Sequence, residues 1–355
     1  MRENRVHVRS TIHTAIAAAF ASALLGICCL FLCACFGIPQ SPSVAARVDG
    51  QEIYEDEITA YIEGFRIKNP EYETDTGWAE FLKSNGYTSE TMRKYVLDTV
   101  FIPKTLIRRE CESRNIKIID AELDAVIQEE KNYYEQRYGA NSWDSVLASY
   151  GYDEDSWREN ERDRLLEEQL AQTVITDVQP TQGEIQALAN QTASNYNGKS
   201  SYYIEYDSQQ AAAEARSRIA IADSTTSLEA FSTQGTPVYA GWNSLTSSRD
   251  AMSTDYIQAL NSLELNHVSQ PVQIGGKWLL IFCDATFNAG SSGESVALDT
   301  VPTEIYEQLV NDATENKTEV LFDEWLDDLM RSSNIVYEPM PEGLPYSVNV
   351  TLAGE

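Results

Sequence analysis

Histidine, cysteine and clustered carboxylates carry most side-chain chemistry, and in this chain of 355 residues they are sparse. His7 and His13 lie in a basic, apolar N-terminal stretch, which leaves His267 as the one histidine of the remaining sequence. A Ser-His-Asp or Cys-His pair would have to use it, and no nucleophile elbow, HExxH, CxxC or P-loop pattern accompanies it. His267 therefore reads as a solvent-exposed loop residue. The acid clusters Asp153-Glu-Asp155 and Asp323-Glu324 with Asp327-Asp328 lack the spacing of oxygen ligands in a calcium loop. They read as solvated helix faces and caps, and the Glu/Arg mixture from Arg158 to Glu168 reads as surface pairing. No catalytic residue, metal site or cofactor site is expected on this basis.

Four of the six cysteines, Cys28, Cys29, Cys33 and Cys35, fall in one uncharged run from Ala15 to Cys35 that follows Arg2, Arg5 and Arg9. A basic start and a long apolar run make a secretory signal. Leu32-Cys33-Ala34-Cys35 resembles a bacterial lipobox, with Cys35 as the lipidated residue, although Cys33 at its second position is unusual. The run is also long enough to span a bilayer as an uncleaved anchor. Either way the remaining chain lies outside the cytoplasm. Cys111 and Cys283 are far apart in sequence and read as buried free thiols rather than a disulfide framework.

The formal charge is −29; without residues 1–34, which hold three arginines and one glutamate, 23 basic and 54 acidic side chains remain and the charge is −31. Such a chain repels nucleic acid, and no Lys/Arg cluster offsets this locally. Nucleic-acid binding is excluded as an expectation.

The elements follow from hydrophobic period. After a Pro/Ser tether, Val44 to Val48 and a second short extended piece flank Asp49-Gly50, a tight-turn signal. From there to Val178 helical spacing dominates: Met92, Val96, Val100 and Ile107 form one set, and Leu123, Val126, Ile127, Tyr134 and Tyr138 another, with Asp120 as its N-cap. Pro103 should kink or split the first set. A further helix is expected from about Asp155 to Ile175, carrying Trp157, Leu165, Leu166 and Leu170. Thr181-Gln-Gly-Glu184 has capping-box spacing and opens a helix to about Ala193. The period then changes. Ser201 to Tyr206 reads as a strand, Gln209 to Ala220 and Asp255 to Leu263 as helices, and Val268 to Ile274 and Trp278 to Cys283 as two strands around Gly275-Gly276. A Gly/Ser-rich loop, Asn288 to Glu294, leads to a long helix from Pro302 to about Met330, with Ile305, Leu309, Leu321, Trp325 and Leu329 on its apolar face. Ile335 to Tyr337 is extended, and an irregular tail follows. The fold class is α+β, mainly helical at first with a small α+β domain after it.

This arrangement resembles the SurA/PrsA family of extracytoplasmic chaperone-foldases. Val44 to Arg66 is similar to the family's opening, and Thr181 to Ile185 to the threonine-and-acid start that precedes its parvulin-like domain. Ala240-Gly241-Trp242, Tyr256-Ile-Gln-Ala259, Val268-Ser-Gln-Pro271-Val272 and Gly276-Lys-Trp278-Leu-Leu280 follow the parvulin pattern in order and approximate spacing, the Val-Ser-x-Pro-Val piece being the most specific. The resemblance implies a lipoprotein signal peptide at 1–34, a tether at 35–43 and a SurA N-terminal-type helical chaperone domain at 44–180. It implies a degenerate parvulin-like domain at 181–290, and a C-terminal helix and tail at 299–355 that return to the chaperone domain.

The family's parvulin domain carries two histidines in a hydrogen-bonded core, and the corresponding positions here are Tyr203 and Trp278. The amide barrier of about 18–20 kcal/mol needs no covalent chemistry to be lowered, so peptidyl-prolyl isomerisation is weakened rather than forbidden. The resemblance leaves Tyr203, Trp242, Met252, Tyr256 and Trp278 as a peptide-binding set, aromatic faces and a polarisable sulfur suiting varied apolar segments, while for Trp278 in particular a core role is the competing reading. The expected partners are unfolded or newly exported polypeptides and, through the anchor, the bacterial cell membrane. An active isomerase and a structural or adhesive surface lipoprotein are the two alternatives.

Overall fold

The computed structural model describes residues 43–219, 225–244 and 253–351. Cys35 and Met252 lie outside these described residues. The fold is α+β and divides into two compact units, one running to Thr176 and resuming at Val320, the other spanning Asp177–Glu319.

The first unit opens with β1 (Val44–Val48) and β2 (Gln51–Tyr54), joined by Asp49 and Gly50 at φ 49° and 90°. Both left-handed values are what a two-residue hairpin turn of this twist requires. The third strand of this sheet is β7 (Ile335–Tyr337), which pairs antiparallel to β1. Helix α1 (Glu55–Lys68) follows, then α2 (Asp75–Ser84) and α3 (Ser89–Val96), the last two capped by Thr74 and Thr88. Pro103 produces a particular break: Leu97–Phe101 is a π-helical turn, and α4 (Ile102–Ser113) restarts with the proline in its first turn, where its missing N–H costs nothing.

Next come α5 (Asp120–Tyr138), α6 (Trp143–Tyr150) and α7 (Glu154–Val174). The cap expected at Asp120 is displaced: Ile119 occupies that position without a side-chain bond, and Asp120 is the first helical residue. Its carboxylate is instead engaged by Arg162 at 3.1 Å and by Arg158, which hold it below the usual carboxylate range.

The core of this unit includes a buried ion pair. Arg93 clamps Glu55 through Nε and Nη2 at 2.6–3.1 Å, and Tyr346 donates its hydroxyl to the same carboxylate at 2.8 Å. Tyr346 belongs to the tail expected to be irregular; irregular it is, yet its ring is fully buried and its carbonyl accepts from the Trp78 indole at 2.9 Å.

The second unit begins with α8 (Gln182–Thr192), whose capping box is formed as its spacing predicts: Thr181 Oγ1 accepts from the Glu184 N–H and the Glu184 carboxylate takes the Thr181 N–H. Strand β3 (Gly198–Tyr206), α9 (Gln209–Ile219), α10 (Leu228–Ser232), β4 (Val238–Ser244), α11 (Thr254–Asn261), β5 (Val272–Ile274) and β6 (Lys277–Phe287) follow. The sheet order is β4-β3-β6-β5. Neither α10 nor β4 was expected as an element, although Phe231 in α10 is fully buried. The strand expected from Val268 is shorter, because Pro271 lacks a ladder donor; Val268 forms only an isolated bridge to Phe282.

Helix α12 (Thr303–Ser332) contains the division between the units. Ile305, Leu309 and Ala313 are buried in the second unit with Ile185 and Ala189. Phe322 is buried in the first with Ile107, Cys111 and Leu170.

Candidate functional site

Strand alternation assigns the sequence-derived site residues to faces. Tyr203 lies with Tyr256, Leu260, Leu279, Ile281 and Cys283 on the face covered by α11. Trp278 lies with Tyr202, Tyr206, Ile204, Leu280 and Phe282 on the other, beneath α9 and α10. Register agrees: Tyr203 is opposite Ile281, and Trp278 opposite Tyr206. The two positions that resemblance sets against a hydrogen-bonded histidine pair are therefore separated by the thickness of the sheet and share no network.

Trp242 goes elsewhere again. It is half-buried against the cluster of Ile185, Phe287, Ile305 and Leu309, and its Nε1 donates to the Tyr196 carbonyl at 2.8 Å. Of the four that lie among the described residues, only Tyr203 and Tyr256 come together, edge to face with ring centroids 6.0 Å apart.

Beneath those two rings the sheet supplies the polar group of this face. The Ser201 hydroxyl and the Tyr256 phenol are 2.9 Å apart, and both residues are fully buried. Burial pushes the Tyr256 phenol up to about 12, with Ser201 pulling the other way. Cys283 pairs in register with Ser201, and burial pushes its thiol up to about 11. A thiol held that high is not the thiolate that nucleophilic chemistry requires. Lys199 closes the end of α11 by donating to the carbonyls of Asn261 at 2.9 Å and Leu263 at 2.5 Å. This face holds a packed core: the Tyr256 ring is covered, and among the described residues neither a base nor an activated nucleophile stands beside it.

His267 is half-buried rather than exposed. Its Nδ1 lies 2.9 Å from the Leu265 carbonyl, and its own carbonyl accepts the Cys283 N–H at 3.0 Å, which makes it part of the irregular edge beside β6. Among the described residues no group of three or more His, Cys, Asp or Glu side chains is arranged to hold a metal ion.

The first unit offers a different kind of surface, and sequence reasoning missed it. Tyr133, Tyr138 and Tyr150 on α5 and α6 are 36%, 61% and 54% exposed. The period placed Tyr138 in the apolar stripe of α5, but the buried residues of that helix are Leu123, Val126 and Ile127, all in its first half. The second half carries Tyr133 and Tyr138 outward, while Tyr134 packs against the cluster of Leu123, Trp143 and Leu147. Tyr134 links them, 5.2 Å from Tyr133, 6.2 Å from Tyr138 and 6.0 Å from the buried Trp143 ring. The available signal was density: five tyrosines between Tyr133 and Tyr152 exceed what a short helical hairpin can bury.

Comparison with known proteins shows what the chain is similar to. Residues 1–171 match the model of the SurA-like N-terminal domain. The foldase protein PrsA of Clostridium perfringens is 20% identical over 348 residues, covering 92% of this chain and 97% of its own. Among solved structures, a SurA-like chaperone of Campylobacter jejuni aligns over 84% of this chain and all of its own at 15% identity and a TM-score of 0.35. The foldase PrsA of Lactococcus lactis aligns over 83% and 95% at 12% identity, also at 0.35. Likeness at that level positions no residue of this chain; the match over residues 1–171 and the near full-length relative are what count. A SurA-like N-terminal domain over residues 1–171 and a likeness to a PrsA foldase along nearly the whole length together support a SurA/PrsA-like foldase.

Proposed function

We propose that the protein is a membrane-tethered chaperone that works outside the cytoplasm, holds unfolded exported polypeptides, and contributes little or no prolyl isomerisation. In this reading residues 44–180 with the terminal helix and tail form the chaperone domain, and residues 181–290 a parvulin-like domain that has lost its catalytic role. The carrying observation is the contrast between the covered Ser201–Tyr256 face and the exposed tyrosines of α5 and α6. A twisted imide must be desolvated inside a groove, and a buried ring offers it no entry. Exposed aromatic rings provide apolar contact area to passing chains at low entropic cost. The basic and apolar leader ending at Leu32-Cys33-Ala34-Cys35 supports export and lipidation at Cys35.

The test places the mature chain in two assays side by side, suppression of aggregation of an unfolded client and cis/trans exchange of a proline peptide. Protection without isomerisation is expected. Isomerisation that disappears in Tyr256→Phe overturns the reading of that face, and one tight partner in place of many weak clients favours an adhesive lipoprotein. Cys35→Ser should block processing or release the protein from membranes; unchanged mass and membrane association refute lipidation.

A further inference from the structure

The tyrosine layer of α5 and α6 lies in a markedly acidic stretch. From Asp120 to Asp155 there are ten acidic side chains and two basic ones, Lys131 and Arg137. The surface also places its own cations against its rings. The Arg137 guanidinium sits 5.8 Å from the Tyr138 centroid, and the Lys68 ammonium, reaching from α1, sits 5.9 Å from the Tyr152 centroid while donating to the Tyr150 carbonyl. Both distances are within cation–π range. Below the layer the buried Trp143 indole N–H has no acceptor among the described residues, a donor that the packed helices leave unused.

We propose that this surface binds lysine- and arginine-rich extended polypeptide segments, the cationic side chains lying over Tyr133, Tyr138 and Tyr150 with the surrounding carboxylates neutralising them. The proposal rests on the chaperone reading above and specifies which clients that chaperone prefers. Charge decides against the other occupants: phosphate-rich surfaces and a second copy of this acidic chain are both repelled. Aromatic rings retain the cation once it arrives, because the ring quadrupole attracts a guanidinium or ammonium that has shed part of its water. Field and rings thus act at different stages, the first on encounter and the second on retention.

The experiment titrates the full mature chain with two labelled peptides of equal length and apolar content, one rich in Lys and Arg and one rich in Glu. The same titration is run on the variant carrying Tyr133→Ser, Tyr138→Ser and Tyr150→Ser together, and on Tyr138→Ser alone in case the triple variant folds poorly. The basic peptide should bind more tightly, weaken with added salt, and lose about tenfold in affinity in the triple variant. Equal affinity for both peptides, or unchanged binding of the basic peptide by a folded variant, overturns the proposal. Aggregation suppression of a neutral unfolded client separates the two claims. Suppression by the wild-type chain without a basic preference leaves the chaperone reading standing and removes this one. Basic-peptide binding without suppression of any client removes the chaperone reading and keeps the surface.

Discussion

Tyr256 in the second unit and Tyr138 in the first both lie on helices, yet one is fully buried and the other is 61% exposed. The difference comes from what each helix faces. Helix α11 lies on a sheet whose strands present Leu279, Ile281 and Cys283 in a continuous apolar row, so a large ring is enclosed and its phenol finds Ser201. Helix α5 has fully buried residues only as far as Ile127; beyond it Tyr134 still packs toward Trp143, while Tyr133 and Tyr138 are left exposed. One residue type serves as core in one place and as contact surface in the other. The assignment depends on the neighbouring element, not on the helix's own period.

Tyr256→Ala tests the buried side of the contrast and carries the largest expected effect. Removing a fully enclosed aromatic ring from a packed core costs about 3–5 kcal/mol, part transfer and part cavity, and here it also leaves the Ser201 hydroxyl without its partner. Denaturant unfolding should show that loss in the transition of the second unit. A change below about 1 kcal/mol would mean that the ring is not enclosed and that the face is open to a ligand.

Alkaline pH probes the same enclosure without mutation. In the unfolded chain Tyr256 titrates near the ordinary 10.0, while in the folded protein burial holds it up to about 12. Its folded value is raised, so its contribution is fully present below pH 10 and is lost as pH rises toward 12, the unfolded state ionising first. Two units correspond to about 3 kcal/mol at most. Tyr346 is pushed up in the same direction by burial and by Glu55. Thermal melts over this range should fall steeply for the wild-type chain and less steeply for Tyr256→Phe; identical slopes would assign the alkaline loss to other groups.

These contrasts show why part of the molecule was legible in sequence and part was not. Asp49-Gly50, Pro103 and the Thr181 to Glu184 box act within a few residues of themselves, and each produced its expected local structure. Faces were harder to read. β6 bulges between its pairing of Ala285 with Ser200 and of Cys283 with Ser201, and β3 shifts again against β4 between Ser201 and Tyr202. Both shifts lie outside the regular stretch in which Trp278 stands opposite Tyr206, three residues from Tyr203; that register is set by the pairing of two distant strands, so a linear pattern could not show that Tyr203 and Trp278 lie on opposite sides. Tyr346 gave still less signal: it is buried through an ion pair between Glu55 and Arg93, far away in the chain, and no period marks such a residue.

The exposed side of the contrast predicts a small number. Tyr138→Ala removes a ring that is mostly in water, so no cavity forms and no buried partner is orphaned, and stability should change by less than about 0.5 kcal/mol. What the variant loses is the Arg137 contact at 5.8 Å and the outer stacking on Tyr134, both at the solvent boundary, where each is worth little. Stability and binding should therefore separate: unfolding midpoints stay together while affinity for a cationic segment falls. A loss of stability comparable to that of Tyr256→Ala would show that the ring is held by packing, and the distinction between core tyrosine and contact tyrosine would fail at the residue where it is sharpest.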